Sequence, residues 1–322
     1  MMEMLETYYG IKGDRHQPFR NIPSYIANNI HYLIITLNKS EEFNVEKAVL
    51  AYYLREQDTM HIGYPLQNID EQFITQQGEK RYIVLRIDEL QELNHRSEGE
   101  VLARFHLQHQ SYPFEPRSIS SYGQWKQLWI EKLSAYEHYL QGTLKRKRTY
   151  FERTWMDIFP YIIGITENAI QYIGNIEKES IVDENDQSTI TFERYTNQLI
   201  EPAMLYDELH VDHPMRDVAE WIRHQLLQEF TDYGHILSFL QEYKQVKPIS
   251  SFRWKLIYAR LLYPAHLFDA MDEQRYQEEG SIGENIVNMC VAQDRYEKRV
   301  NRLLHHMERN HLTNPIPMIQ WR

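Results

Sequence analysis

The chain has one cysteine, Cys290, in 322 residues. A single thiol cannot form an intramolecular disulfide, and its apolar neighbours Val287, Met289 and Val291 fit a buried free thiol in a reducing compartment. No apolar run approaches the roughly 18 residues of a membrane-spanning helix. The opening residues, Met-Met-Glu-Met-Leu-Glu-Thr, carry acids where a secretory leader carries bases. Synthesis in the cytoplasm without a signal peptide is therefore expected, with no membrane span. Basic residues are also in deficit, 35 Lys and Arg against 46 Asp and Glu for a formal charge of -11. That balance excludes a broad nucleic-acid surface, which needs clustered cations over a face. The one basic run, Lys145 to Arg148, reads as a solvated surface cluster. Internal repeats and low-complexity tracts are absent. Glycine is sparse, 12 in all and none between residues 14 and 30, which removes any glycine-rich phosphate cradle from that stretch. Gly10 and Gly13 read as helix-end or turn residues.

What is present suffices for a large core, with 42% hydrophobic and 13% aromatic residues. The 23 tyrosines and 6 tryptophans exceed what a core alone needs, and half-exposed tyrosine suits protein contacts. Residues 31 to 37 read as a strand and 41 to 56 as an amphipathic helix capped by Ser40. Residues 73–75 and 81–87 form a hairpin around Gln76-Gln77-Gly78-Glu79. From about residue 97 the period becomes helical, over 99–109, 121–142 and 150–176, the last interrupted by Pro160 and Gly164. Ser188 to Tyr195 alternates as a strand, and further helices are expected near 231–244, 250–276 and 281–311.

Residues 211 to 223 carry the most information. Asp212, His213 and Pro214 form a turn, and Pro214 starts a helix in which Val218, Trp221 and Ile222 share a buried face. Arg216, Glu220 and Arg223 are expected largely outside that face. Asp217, at the helix entry, is expected to accept backbone amides or to pair with an arginine.

Strings in order along the chain resemble one family. They are Leu102-Ala103-Arg104-Phe105-His106, Tyr122-Gly123-Gln124-Trp125-Lys126-Gln127-Leu128-Trp129, Phe159-Pro160-Tyr161 with Glu167 to Tyr172, Asp212 to Trp221, and Trp254 to Leu262. Together they resemble the spore coat proteins of the CotS and YutH type, a branch of the aminoglycoside phosphotransferase and choline kinase-like superfamily. The resemblance implies an α+β, bilobed protein-kinase-like fold, with a small β-rich lobe over 1–92 and a larger helical lobe over 93–322. It also implies location in the endospore coat, on the mother-cell side, with other spore coat proteins as partners.

Against that family the parts needed for phosphoryl transfer are thin. Transfer needs cradled phosphates, a divalent metal on carboxylates or amides, and a carboxylate to orient the nucleophile. The strand at 31–37 has no lysine; Lys39 lies in the turn after it and reads as solvated. Glu46 therefore lacks a strand partner and is expected at the surface facing Lys47 or Arg55. If Phe192-Glu193-Arg194 stands for the family's His-Gly-Asp, the base carboxylate has become a guanidinium, which accepts no proton. Leu199 then replaces the metal-binding Asn. Glu193 and Asp207 remain as candidate catalytic carboxylates, and Asp207 and Glu208 as candidate metal ligands. His106 with His109, and His305-His306 with His311, lack the spacing of a zinc site. The expected function is a catalytically degenerate kinase-like scaffold in spore coat assembly or structure, with no cofactor. The alternative is an ATP- and Mg²⁺-dependent small-molecule phosphotransferase with a remodelled site.

Overall fold

The computed structural model describes the chain apart from residues 1, 14, 38, 58, 60, 93–96, 111, 144–149, 180–185, 275–281, 311–312 and 314–322. Lys145 to Arg148 and His311 lie outside the described residues, as does the side chain of Cys290. The N-terminal part opens with α1 (Met2–Tyr9), then a hairpin of β1 (Arg15–His16) and β2 (Ser24–Ala27), and β3 (Ile30–Thr36). Helix α2 (Glu41–Glu56) follows, then β4 (Ile62–Pro65), β5 (Thr75–Gln77) and β6 (Lys80–Ile87). Strand β3 pairs antiparallel with β6, setting Leu33 opposite Leu85 and Ile34 opposite Val84. Alternation then divides the side chains between two faces. Tyr32, Ile34, Tyr82 and Val84 pack against Met4 and Leu5 of α1, whereas Leu33, Ile83 and Leu85 join Leu50, Ala51 and Leu54 of α2 in the main core. Gly10, at φ +65°, closes α1, as expected of a helix-end glycine.

The larger part is helical. It contains α3 (Glu98–Gln108), α4 (Trp125–Thr143) and α5 (Tyr150–Glu179), which runs through Pro160 as one helix. Strands β7 (Thr189–Phe192) and β9 (Leu209–Asp212) pair antiparallel and hold between them the loop 193–208. The short strand β8 (Met204–Leu205) leaves this loop and pairs parallel with β4 at the sheet edge, Ile62 with Met204 and Gly63 with Leu205. Helices α6 (Met215–Leu227), α7 (Tyr233–Val246), α8 (Ser251–Leu262), α9 (Ala265–Gln274) and α10 (Ile282–Arg309) complete the fold. The helix expected over 250–276 is thus two, broken beside Pro264, which lacks an amide to continue it. No helix among the described residues is long and apolar enough to cross a membrane.

Two expectations are corrected here. Arg216, Glu220 and Arg223 are not outside the packed face of α6: they are 7%, 3% and 3% exposed. The helix is enclosed all round, so its charges are paired internally. Glu220 accepts from Arg260 at 2.9 Å and Arg223 at 3.3 Å, with Arg194 at 3.8 Å. Burial alone would raise its carboxyl, yet Arg223, Arg194 and Arg260 hold it well below the usual carboxylate range. The aromatic surplus is also largely interior, since Tyr195, Tyr206, Tyr243, Tyr258 and Tyr296 are among the largest fully buried side chains.

Gly99 sets how closely α3 and α7 approach. A Cβ there would stand 2.1 Å from the Phe239 carbonyl oxygen and 2.9 Å from the Tyr243 nitrogen. Gly99→Ala is expected to cost about 3 kcal/mol, the upper range for overpacking. In contrast, Gly142→Ala, with nothing within 4 Å of the added carbon, is expected to be neutral or to stabilise by up to about 1 kcal/mol. Thermal melting of the two variants tests the contrast.

Candidate functional site

The loop between β7 and β9 faces the sheet and α2. Glu193 leaves β7 with its amide bonded to the Glu208 carbonyl at 2.8 Å, so the two candidate segments close on each other. Asp207 and Glu208 lie in one 3-10 turn, Tyr206–Glu208. Into this corner reaches Lys47 of α2. Its side chain is fully buried, and its Nζ donates to Glu193 Oε1 at 2.6 Å and to the Asp207 backbone carbonyl at 2.5 Å. The Phe43 ring centroid lies 4.9 Å away, a cation-π contact. Burial pulls the Lys47 ammonium down, and Glu193 opposes that loss. Crowding raises the Asp207 carboxyl, with Lys47 partly offsetting it.

The hairpin of β1 and β2 covers the same corner. Its tip is Arg20-Asn21, both at positive φ (47° and 65°), with Phe19 and Ile22 bonding each other's backbone. Two successive left-handed residues make the tight turn whose twist suits a hairpin. From that tip Arg20 reaches down to the second lobe. Its Nη1 donates to Glu208 Oε1 at 3.0 Å and its Nη2 to the Ala203 carbonyl at 2.6 Å, and it also pairs with Glu201. Glu208 is held from the other side by the Leu205 amide at 2.9 Å.

Other expected residues fall into structural positions. Asp212 is buried and saturated: Oδ2 accepts from Ser121 Oγ (2.6 Å), Trp125 Nε1 (2.7 Å) and Arg216 Nη1 (2.9 Å), and Oδ1 from the His213 amide (2.7 Å). His213 accepts from the Met215 amide through Nδ1 and turns Nε2 to Asp186 at 3.4 Å, while Pro214 precedes α6 at φ -56°. Asp217 accepts the Phe192 amide at 3.0 Å and faces His106 Nε2 at 3.0 Å. Burial pushes the Asp217 carboxyl well up and the His106 imidazolium well down. Arg216 bonds the carbonyls of Phe192 and Glu193 at 2.9 and 3.1 Å, so α6 fixes the start of the loop. Arg194 turns away from Lys47 to a two-point pairing with Asp269, at 2.7 and 2.8 Å. Leu199 is buried, and Asn197, at φ 90°, accepts from Trp221 Nε1.

The expected surface role of Glu46 is corrected. Its carboxylate accepts the backbone amides of Arg117, Ser118 and Ile119 at 2.8, 2.8 and 3.1 Å, tying α2 to the second lobe. Lys39 is exposed. Among the described residues no group of three or more His, Cys, Asp and Glu is placed to hold a metal ion. The residues that sequence reasoning missed are Lys47 and Arg20. Lys47 had a visible signal, since it shares the helical face of Phe43, Leu50, Ala51 and Leu54. Arg20 had none in its immediate pattern.

Comparison with known proteins agrees with this architecture. The family described as "Spore coat putative kinase YutH" matches residues 2–306. The endospore coat-associated protein YutH of Bacillus subtilis is 30% identical over 309 residues, 91% of this chain and 89% of that protein. Among solved structures, an aminoglycoside phosphotransferase from Alicyclobacillus acidocaldarius aligns with a TM-score of 0.58 at 11% identity, over 92% of this chain and 93% of its own. The choline kinase LicA of Streptococcus pneumoniae aligns with a TM-score of 0.51 at 13% identity, over 94% and 96%. Identities this low speak for the fold alone. With the family matched over nearly the whole length and the kinase-like architecture in place, the chain belongs to the YutH family of spore coat proteins.

Proposed function

We propose that this protein is an endospore coat component whose kinase-like frame has become a scaffold, and that it no longer transfers phosphate. The observation that carries the reading is Lys47. A metal nucleotide needs carboxylates free to meet a divalent cation and phosphates. Here a buried ammonium already sits between Glu193 and the Asp207 carbonyl, neutralising the candidate base from inside the fold. Arg20 does the same for Glu208. The glycine-free hairpin brings a guanidinium where a cradle of bare amides would be required. The residues present do not fit Mg²⁺ with ATP, and no step of transfer is assigned to them. The B. subtilis relative is described as endospore coat-associated, which supports coat assembly or structure as the role, with other coat proteins as partners.

Glu208 adds to this reading. Burial pushes its carboxyl up to about 7, against the pull of the Leu205 amide and Arg20. A carboxyl pushed toward its protonated form is a poorer ligand for a hard cation. The same displacement has a stability consequence. A folded-state pKa above the unfolded one means that the folded protein binds the extra proton, so this contribution is present below the unfolded value of 4.5 and is lost as pH rises through about 7.

The nucleotide test is thermal melting with ATP and Mg²⁺ at millimolar concentration. Ligand that binds only the folded state must raise the midpoint, and no Mg²⁺-dependent rise is expected. A clear rise that Asp207→Ala abolishes would establish the phosphotransferase alternative instead. For Glu208, comparing wild type with Glu208→Gln cancels other titrations. Between pH 5 and pH 8 the wild type is expected to lose up to about 3 kcal/mol relative to the variant, following the linkage of about 1.4 kcal/mol per pKa unit. Equal slopes would contradict the raised carboxyl.

A further inference from the structure

A cavity of about 310 Å³ is lined by residues of α4, α8 and α9 together with Arg194 and Arg216. Its charged lining is mostly cationic. Arg194, Arg216, Arg260 and Lys132 border it with Asp269 as the acid, and Ser121 and His210 are the other polar residues, burial holding His210 toward its neutral form. The cations are not equally satisfied. Arg194 is gripped by Asp269, Lys132 donates to Asp272 at 2.5 Å, and Arg216 is held by Asp212, Ser121 and two carbonyls. Arg260, only 4% exposed, makes one hydrogen bond among the described residues, from Nε to Glu220. Among the described residues its two terminal nitrogens meet no acceptor, and it lines the cavity while its guanidinium lies 5.0 Å from the Trp125 ring centroid. Burial, and Arg216 beside it, pull this guanidinium down to about 10, the mark of positive charge in local excess.

The lining is also aromatic, with Trp125, Trp129, Tyr263 and Phe268. Trp129 and Tyr263 stack at 4.5 Å, nearly parallel at 5°. We propose that this cavity binds a small aromatic oxyanion, a carboxylate or phosphate monoester whose charge meets the free edge of Arg260 and whose ring lies against Trp129 and Tyr263. A planar guanidinium edge presents two parallel donors, which match two oxygens of such a group. Lys132 and Leu128, at the mouth and partly exposed, control entry. The cavity shares Arg194 and Arg216 with the wall of the Lys47 corner, but its ligand meets Arg260 and does not depend on whether that corner binds nucleotide.

Calorimetric titration of the full chain in Mg²⁺-free buffer with phenyl phosphate, benzoate, inorganic phosphate and benzylamine tests this. Phenyl phosphate or benzoate is expected to bind at least about tenfold more tightly than benzylamine or inorganic phosphate. Lys132→Glu, which reverses charge at the mouth, and Leu128→Trp, which narrows it, are each expected to weaken binding about tenfold. Leu128 is exposed on α4 and the unliganded melting of its variant should match wild type, whereas Lys132→Glu also removes the ion pair to Asp272 and is expected to melt slightly lower, so its affinity is read well below that transition. No binding of either aromatic anion would overturn the proposal. So would equal binding of benzylamine or inorganic phosphate, or affinity unchanged in both variants. A Mg²⁺-dependent ATP response would count against the scaffold reading and leave this one standing.

Discussion

Helix α6 touches no solvent along most of its length, so every charge it carries requires an opposite charge or a carbonyl inside the fold. This constraint organises the second lobe. Glu220 needs Arg223, Arg260 and Arg194; Arg216 needs Asp212 and the carbonyls at 192 and 193; Asp217 needs the Phe192 amide and His106. Apart from Arg223 on α6 itself these partners come from β7, β9, α3, α8 and the loop after β7, so one helix fixes the positions of several elements together. Removing one member of such a network leaves a buried charge unpaired, which costs more than the pair itself contributes.

The same network separates the frame of the fold from the side chains of the loop. The Asp217 and Arg216 contacts hold the backbone where the loop begins, whatever side chains follow at 193 and 194. The frame therefore tolerates Arg194, which turns outward to Asp269, and Lys47, which turns inward to Glu193. Within the cleft the Lys47 ammonium supplies a positive charge directly beside Glu193.

Much of the fold was legible in the sequence because it rests on period. The 3.6-residue spacing in α2 to α7 and the alternation of β3 and β6 follow directly from burying one side of each element. The bilobed arrangement came from the resemblance. Periodicity failed where packing overrode it. Charged residues on α6 look like a solvated face, yet they are interior because Arg260 and Asp212, distant in sequence or beyond the turn, meet them. Lys47 on an apolar face was a readable anomaly, but its partner lies 146 residues away. Arg20 and Glu208 are 188 apart, and no local rule connects them. The carboxylates Glu193, Asp207 and Glu208 were identified, but their neutralising cations were not.

The parallel pairing of β4 with β8 deserves a mechanical reading. A two-lobed enzyme that opens and closes around a ligand requires its lobes to be joined by a pliable connector. Here a strand of the second lobe is stitched into the sheet of the first, and Glu46 and Arg20 add polar ties at two further points. Rotation of one lobe against the other would break backbone pairing and ion pairs at once. Such cross-stitching makes relative motion of the two parts costly, whatever chemistry the cleft between them supports.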